Sequence, residues 1–150
     1  MRSHVSIEFR KGDLTAFEAK CEMAILSLGS GTKKATIAAC EEILAKSLMQ
    51  VPKDTNTLAK SAYYTVDKRT NISSYRFGGT IGYGGNGNPI NPISGRSAAS
   101  YMVKVHEDLS AYHKVGKAKF LEDPVREYGA NNFSRVVYSY AKEALAKFSI

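Results

Sequence analysis

No stretch of this 150-residue chain stays apolar long enough to span a bilayer. The longest clear block is Met23-Ala24-Ile25-Leu26, against the roughly 18 residues that a membrane-crossing helix needs, so no membrane partner is expected. The opening residues, MRSHVSIEFRKGD, contain no apolar segment of the secretory type, which makes synthesis in the cytoplasm the default expectation. Cysteine is scarce. Cys21 and Cys40 each fall on an apolar helical stripe, where a thiol serves as a small buried hydrophobe and no disulfide is expected. With no secretion route in view, the sequons Asn71-Ile72-Ser73 and Asn132-Phe133-Ser134 carry no glycosylation argument. Internal repeats and low-complexity tracts are missing as well.

Catalytic signatures are equally sparse. The segment VHEDLSAYHKVGKAKFLEDPV, residues 105–125, brings together His106, Glu107 and His113. A zinc protease needs H-E-x-x-H on one helix so that both imidazoles face the metal. Here the residue four after His106 is Ser110, and the third histidine, His4, is distant in sequence. A nucleophilic pair of Cys40 with His106 would use a thiol on an apolar stripe, where it is inert. No G-x-S-x-G elbow occurs, and Glu107, Asp108, Glu122 and Asp123 are acids of the ordinary surface kind. Gly29-Ser30-Gly31-Thr32-Lys33-Lys34 lacks the G-K-[ST] order of a phosphate loop, and Gly84-Gly85-Asn86-Gly87 is not followed by a helix that could offer its N-terminus to phosphate. No catalytic residue, cofactor or metal is expected.

What is present is a folded, basic chain. A hydrophobic fraction of 43% with 10% aromatics fits a single domain over residues 1–150. The net charge of +7 permits nearness to DNA or to an acidic protein, although the basic residues are spread out. Alternation from His4 to Phe9 predicts a short strand. A helix is predicted from Leu14 to Leu28, after a turn or cap at Gly12-Asp13. A break at Gly29–Thr32 and a second helix capped by Thr32 and ended by Pro52 follow. Ser61–Asp67 and Ser74–Tyr83 read as an antiparallel strand pair. The glycine, asparagine and proline of residues 82–95 exclude a regular element, and such a long loop tends to be functional. Tyr101–Glu107 alternates like a strand. Helical spacing resumes through Phe120, Leu121, Val125 and Tyr128, breaks at Gly129–Asn132, and returns in a last amphipathic helix. The predicted fold is α+β: a small antiparallel sheet packed against one or two long helices, with a long Gly/Asn/Pro-rich loop.

A longer pattern overlies these elements. Ile43-Leu44-Ala45-Lys46 leads to Val51-Pro52, then Asp54-Thr55-Asn56-Thr57-Leu58-Ala59-Lys60-Ser61, then strands ending Ile81-Gly82-Tyr83-Gly84. Tyr101-Met102-Val103-Lys104-Val105-His106-Glu107 follows, and after it Gly116-Lys117-Ala118-Lys119-Phe120-Leu121-Glu122-Asp123-Pro124-Val125. In order and spacing, these segments resemble the minor capsid or tail-completion (neck) proteins of long-tailed bacteriophages. The resemblance covers about residues 35–128, with 129–150 as a helical extension. Asn56 stands where the pattern usually has glycine, and asparagine is one of the few other residues that tolerate left-handed backbone.

The resemblance implies a non-enzymatic virion component of the neck, made in the host cytoplasm. It would be a homo-oligomeric ring, hexamer favoured and dodecamer the alternative. The ring would join the head-tail connector or head-closure protein to the tail tube or tail terminator around the DNA channel. Candidate contact residues are Asn86, Asn88, Ile90, Ile93 and Arg96 of the long loop, which is expected to gain order on assembly, together with His106 and Glu107. A small basic nucleic-acid-binding protein is the alternative; it would interleave Tyr63, Tyr64 and Tyr75 with Arg76 on one surface.

Overall fold

The computed structural model describes residues 10–67, 77–85 and 87–148, with the backbone alone for Lys11 and Asp13. The order of elements is α1 (Lys11–Gln50), α2 (Thr57–Lys60), β1 (Tyr63–Val66), β2 (Gly79–Gly82), α3 (Ala98–Glu107), α4 (Glu122–Asn131) and α5 (Phe133–Leu145). The α+β architecture expected from the sequence is the one observed. The predicted strand from His4 to Phe9 lies outside the described residues.

The spine is α1, a single helix of 40 residues and so about 60 Å long at 1.5 Å per residue. It begins at Lys11, ahead of the predicted Leu14, and it runs straight through Gly29–Thr32, where two helices were expected. Local propensity disfavours this, since each glycine costs up to about 1 kcal/mol relative to alanine. Tertiary packing overrides it. A Cβ on Gly31 would lie 2.9 Å from the Tyr140 carbonyl oxygen and 3.0 Å from the Ala144 Cβ, so glycine is what lets α5 approach this closely. Ser27 Oγ donates to the Ala144 carbonyl at 3.0 Å. Thr32 caps nothing; its hydroxyl donates back to the Leu28 carbonyl at 2.9 Å. The helix ends where predicted: Val51 turns extended ahead of Pro52, as the pyrrolidine ring requires of its predecessor.

The hairpin pairs Tyr63 with Gly82, Tyr64 with Ile81, Thr65 with Thr80 and Val66 with Gly79. Both strands are shorter than predicted, and residues 68–76 of the expected pair lie outside the described residues. The sheet packs on α1, as do α4 and, most extensively, α5. Within the C-terminal extension, α5 supplies the main cover of the spine. The break before α5 is narrower than expected, with α4 continuing to Asn131 and Asn132 alone separating the two helices.

Tyr101–Glu107, expected as a strand, is the greater part of α3. The alternation of Tyr101, Val103 and Val105 misleads because the buried set follows the helical period. Ala98 is fully buried, Tyr101, Met102 and Val105 pack on the same core, and Val103 is exposed. That core unites Val51, Leu58, Tyr83, Ala98 and Phe120. A smaller one joins Ala39, Ile43 and Tyr128. Phe120 anchors the chain ahead of α4 against the Tyr83 end of the hairpin, with ring centroids 5.1 Å apart edge to face. Such aromatic pairs add to the area that each ring buries.

Candidate functional site

Two surfaces at opposite ends of α3 hold the residues singled out by the sequence. The first is the loop that leads into the helix. Asn91 organises it: its Oδ1 accepts from the backbone N–H of Ile93 at 2.9 Å and of Ser94 at 3.1 Å. The Asn91 N–H donates to the Arg96 carbonyl, and the Gly95 N–H returns to the Asn91 carbonyl, both at 2.8 Å. Asn88 Oδ1 accepts from the Ala99 N–H at 2.9 Å, satisfying a donor in the first turn of α3. Gly84 and Gly87 have φ of +78° and +82°, a conformation that disfavours side chains. The hydrogen bonds that fasten this loop are its own, whereas the sequence suggested that order would come with a neighbour. The result is a polar frame presenting two apolar side chains, Ile90 at 60% and Ile93 at 78% exposure, with Arg96 exposed beside them. Asn86 lies outside the described residues.

The second surface is the junction between α3 and α4. His106 Nδ1 is 2.7 Å from Glu107 Oε1, and its Nε2 accepts from the Glu122 N–H at 3.3 Å. An accepting Nε2 calls for the tautomer with the proton on Nδ1, which then donates to Glu107. The ring also packs edge to face on Phe120, with centroids 4.9 Å apart. Both nitrogens are thereby spent on structure. Glu107 pairs with Lys119, which also reaches Glu122 at 2.8 Å, and Glu122 meets Arg126 at 2.6 Å. The Lys119 hydrogen bond, followed by that of His106, holds the Glu107 carboxyl below its ordinary value. Lys119 likewise lowers Glu122, and Glu107 raises Lys119. His106 and Glu107, placed by the sequence among the candidate contact residues, are fasteners between two helices.

His113 lies elsewhere, lining a cavity with Asp54, Asn56, Tyr101 and Val105. Among the described residues no group of three or more His, Cys, Asp or Glu is placed to hold a metal. Cys40 is buried, and burial raises its thiol pKa; Cys21 is partly exposed, and both are free. Of the tyrosines considered for stacking on bases, Tyr64 donates its hydroxyl to Glu41 at 2.8 Å. The Tyr63 ring covers Gly85, where a Cβ would come within 2.3 Å of it. Tyr75 and Arg76 lie outside the described residues.

Sequence reasoning missed Asn91 and Lys119. An Asn-Pro-x-Ser stretch is a turn signal, and it could have marked Asn91. Lys119 adopts φ +58° without being glycine or asparagine, and no sequence signal announces that. Also missed was the groove between the base of the hairpin and α3, walled by Tyr63, Ile81, Met102, Val103, Phe120 and Leu121, with Glu107 at its rim. No family model, curated protein or solved structure matches this chain.

Proposed function

We propose that this protein is a structural component of a tailed-phage particle, a neck or tail-completion subunit. In this reading it closes into a ring, hexameric by preference, between the connector and the tail around the DNA channel. The observation that carries the reading is the placement of apolar surface on a helix and on a hydrogen-bonded loop. Leu14, Phe17, Met23, Ile25 and Leu26 are exposed along the first half of α1, and Ile90 and Ile93 on the hydrogen-bonded loop. Exposed apolar side chains grouped on ordered elements mark protein contact surfaces. The sequence segments that resemble the neck family supply Val51, Leu58, Tyr83 and Phe120 to the core on which α3, the helix that follows the loop, is packed. Ring closure needs one patch docking onto a different patch of the next copy, with a rotation that closes. The basic balance of the chain is compatible with a position beside DNA.

Deletion of the gene from the phage or prophage that carries it tests this. The expected result is DNA-filled heads and free tails that do not join, with joining restored by the wild-type chain. Normal particles in the deletion strain would contradict the proposal.

A further inference from the structure

We infer that the loop carrying Ile90 and Ile93 is a plug, and that the groove between the hairpin base and α3 is its socket on the next copy of the chain. The inference rests on the ring reading above and names the contact that would build it. The socket has a volume of about 250 Å³. A cavity of about 150 Å³ lined by apolar side chains accommodates benzene, so one branched aliphatic side chain fits here. Pockets for cofactors and drug-sized molecules start at about 300 Å³. The plug is presented ready-made. Ile93 and Ile90 project from a turn closed by Asn91 and by the Ile90–Ser97 bridge, so little freedom remains to be lost on docking.

A chain cannot fill its own socket. Asn91 of the loop lies with Tyr101 and Val105 on one face of α3, whereas Met102, Val103 and His106 line the socket from another face. A plug and a socket on separate faces make a head-to-tail contact, the type that closes rings. Charge agrees. Arg96 is the only charged side chain between Gly87 and Ser97. Among the described residues Glu107 is the only charged one lining the socket, with its side chain 53% exposed. Two partners occupy that carboxylate, which has about four acceptor sites, leaving room for a guanidinium from the neighbour.

The test is a disulfide trap in the full chain, in a Cys21→Ser background carrying Ile93→Cys and Val103→Cys. Both positions are more than half exposed, and circular dichroism reports retention of the fold. Oxidation of the concentrated protein should give a covalent ladder ending at the ring size on non-reducing gels, while each variant with one introduced cysteine beside the buried Cys40 stays monomeric there. A covalent dimer from Ile93→Cys alone would overturn the inference, because it reports like surfaces meeting. A ring by native mass with no ladder from the double variant would overturn the plug and leave the ring standing. A monomeric native mass would overturn both.

Discussion

The two ends of α1 carry similar apolar side chains and meet opposite surroundings. Towards the C-terminal end, Ile43, Ser47 and Val51 are buried beneath the hairpin, α3 and α4, and Ser47 shares a 2.7 Å hydrogen bond with the Tyr83 hydroxyl. Towards the N-terminal end, Leu14, Phe17, Met23 and Leu26 are 49–59% exposed. The cover from α5 reaches Ser27, and the residues before it extend by about 1.5 Å each. Hydropathy alone treats the two ends alike. Their difference lies in the cover that the described residues of the same chain supply: the C-terminal end lies in the core, whereas the N-terminal side chains stay exposed. Helices in proteins draw most of their stability from such packing and little from propensity, so the two ends should respond differently to truncation of an apolar side chain.

Substitutions can break or sharpen this contrast. Phe120→Ala should cost about 3–5 kcal/mol, as large-to-small changes in a packed core do, whereas Phe17→Ala should stay within about 0.5 kcal/mol. Equal shifts in urea midpoint for the two would abolish the distinction. Gly116→Ala comes next. Gly116 has φ +90°, and a Cβ there would lie 2.6 Å from backbone atoms of Val51 and Pro52. Left-handed backbone alone costs a side chain about 1–2 kcal/mol, and the overlap would part the 108–119 connection from the end of α1. Thermal melting should show the loss, and an unchanged melting temperature would count against this docking.

The smallest effect is on pH dependence. Glu107 and Glu122 have folded pKa values below the ordinary 4.5, lowered chiefly by Lys119. Asp123 is lowered by Lys117 and Asp108 by Ser110. For depressed carboxylates the stabilising contribution is present above the ordinary value and is lost as pH falls through the folded one. The urea midpoint should therefore drop in the acid range below about 4.5, modestly, since these pairs are exposed and screened. Substituting Lys119 by Met should flatten that drop; an unaltered acid profile would exclude the α3–α4 network as its source.

Much of the fold was legible because local chemistry and tertiary need agree at particular residues. Asn56 was read as a residue able to take left-handed backbone and has φ +56°. Pro52 ends α1, and Leu58 and Ser61 of the same segment are buried, Ser61 with its hydroxyl on the Leu58 carbonyl at 2.7 Å. Legibility failed where distant contacts outvote local signals. Gly31 reads as a break and is an approach site for α5. Tyr101–Glu107 alternates, and becomes a helix because Ala98, Tyr101 and Val105 meet one core. The candidate contacts fared likewise. Ile90, Ile93 and Arg96 were readable from their loop, while the groove opposite needs residues from the hairpin, α3 and the chain ahead of α4, which only folding brings together.

The central claim is that this chain is built to dock onto copies of itself. Native mass measurement of the purified protein, alone and with its presumed connector, tests it most directly. The account predicts a single closed species of six subunits, with twelve as the alternative. A chain that remains monomeric at high concentration and on the connector would contradict it.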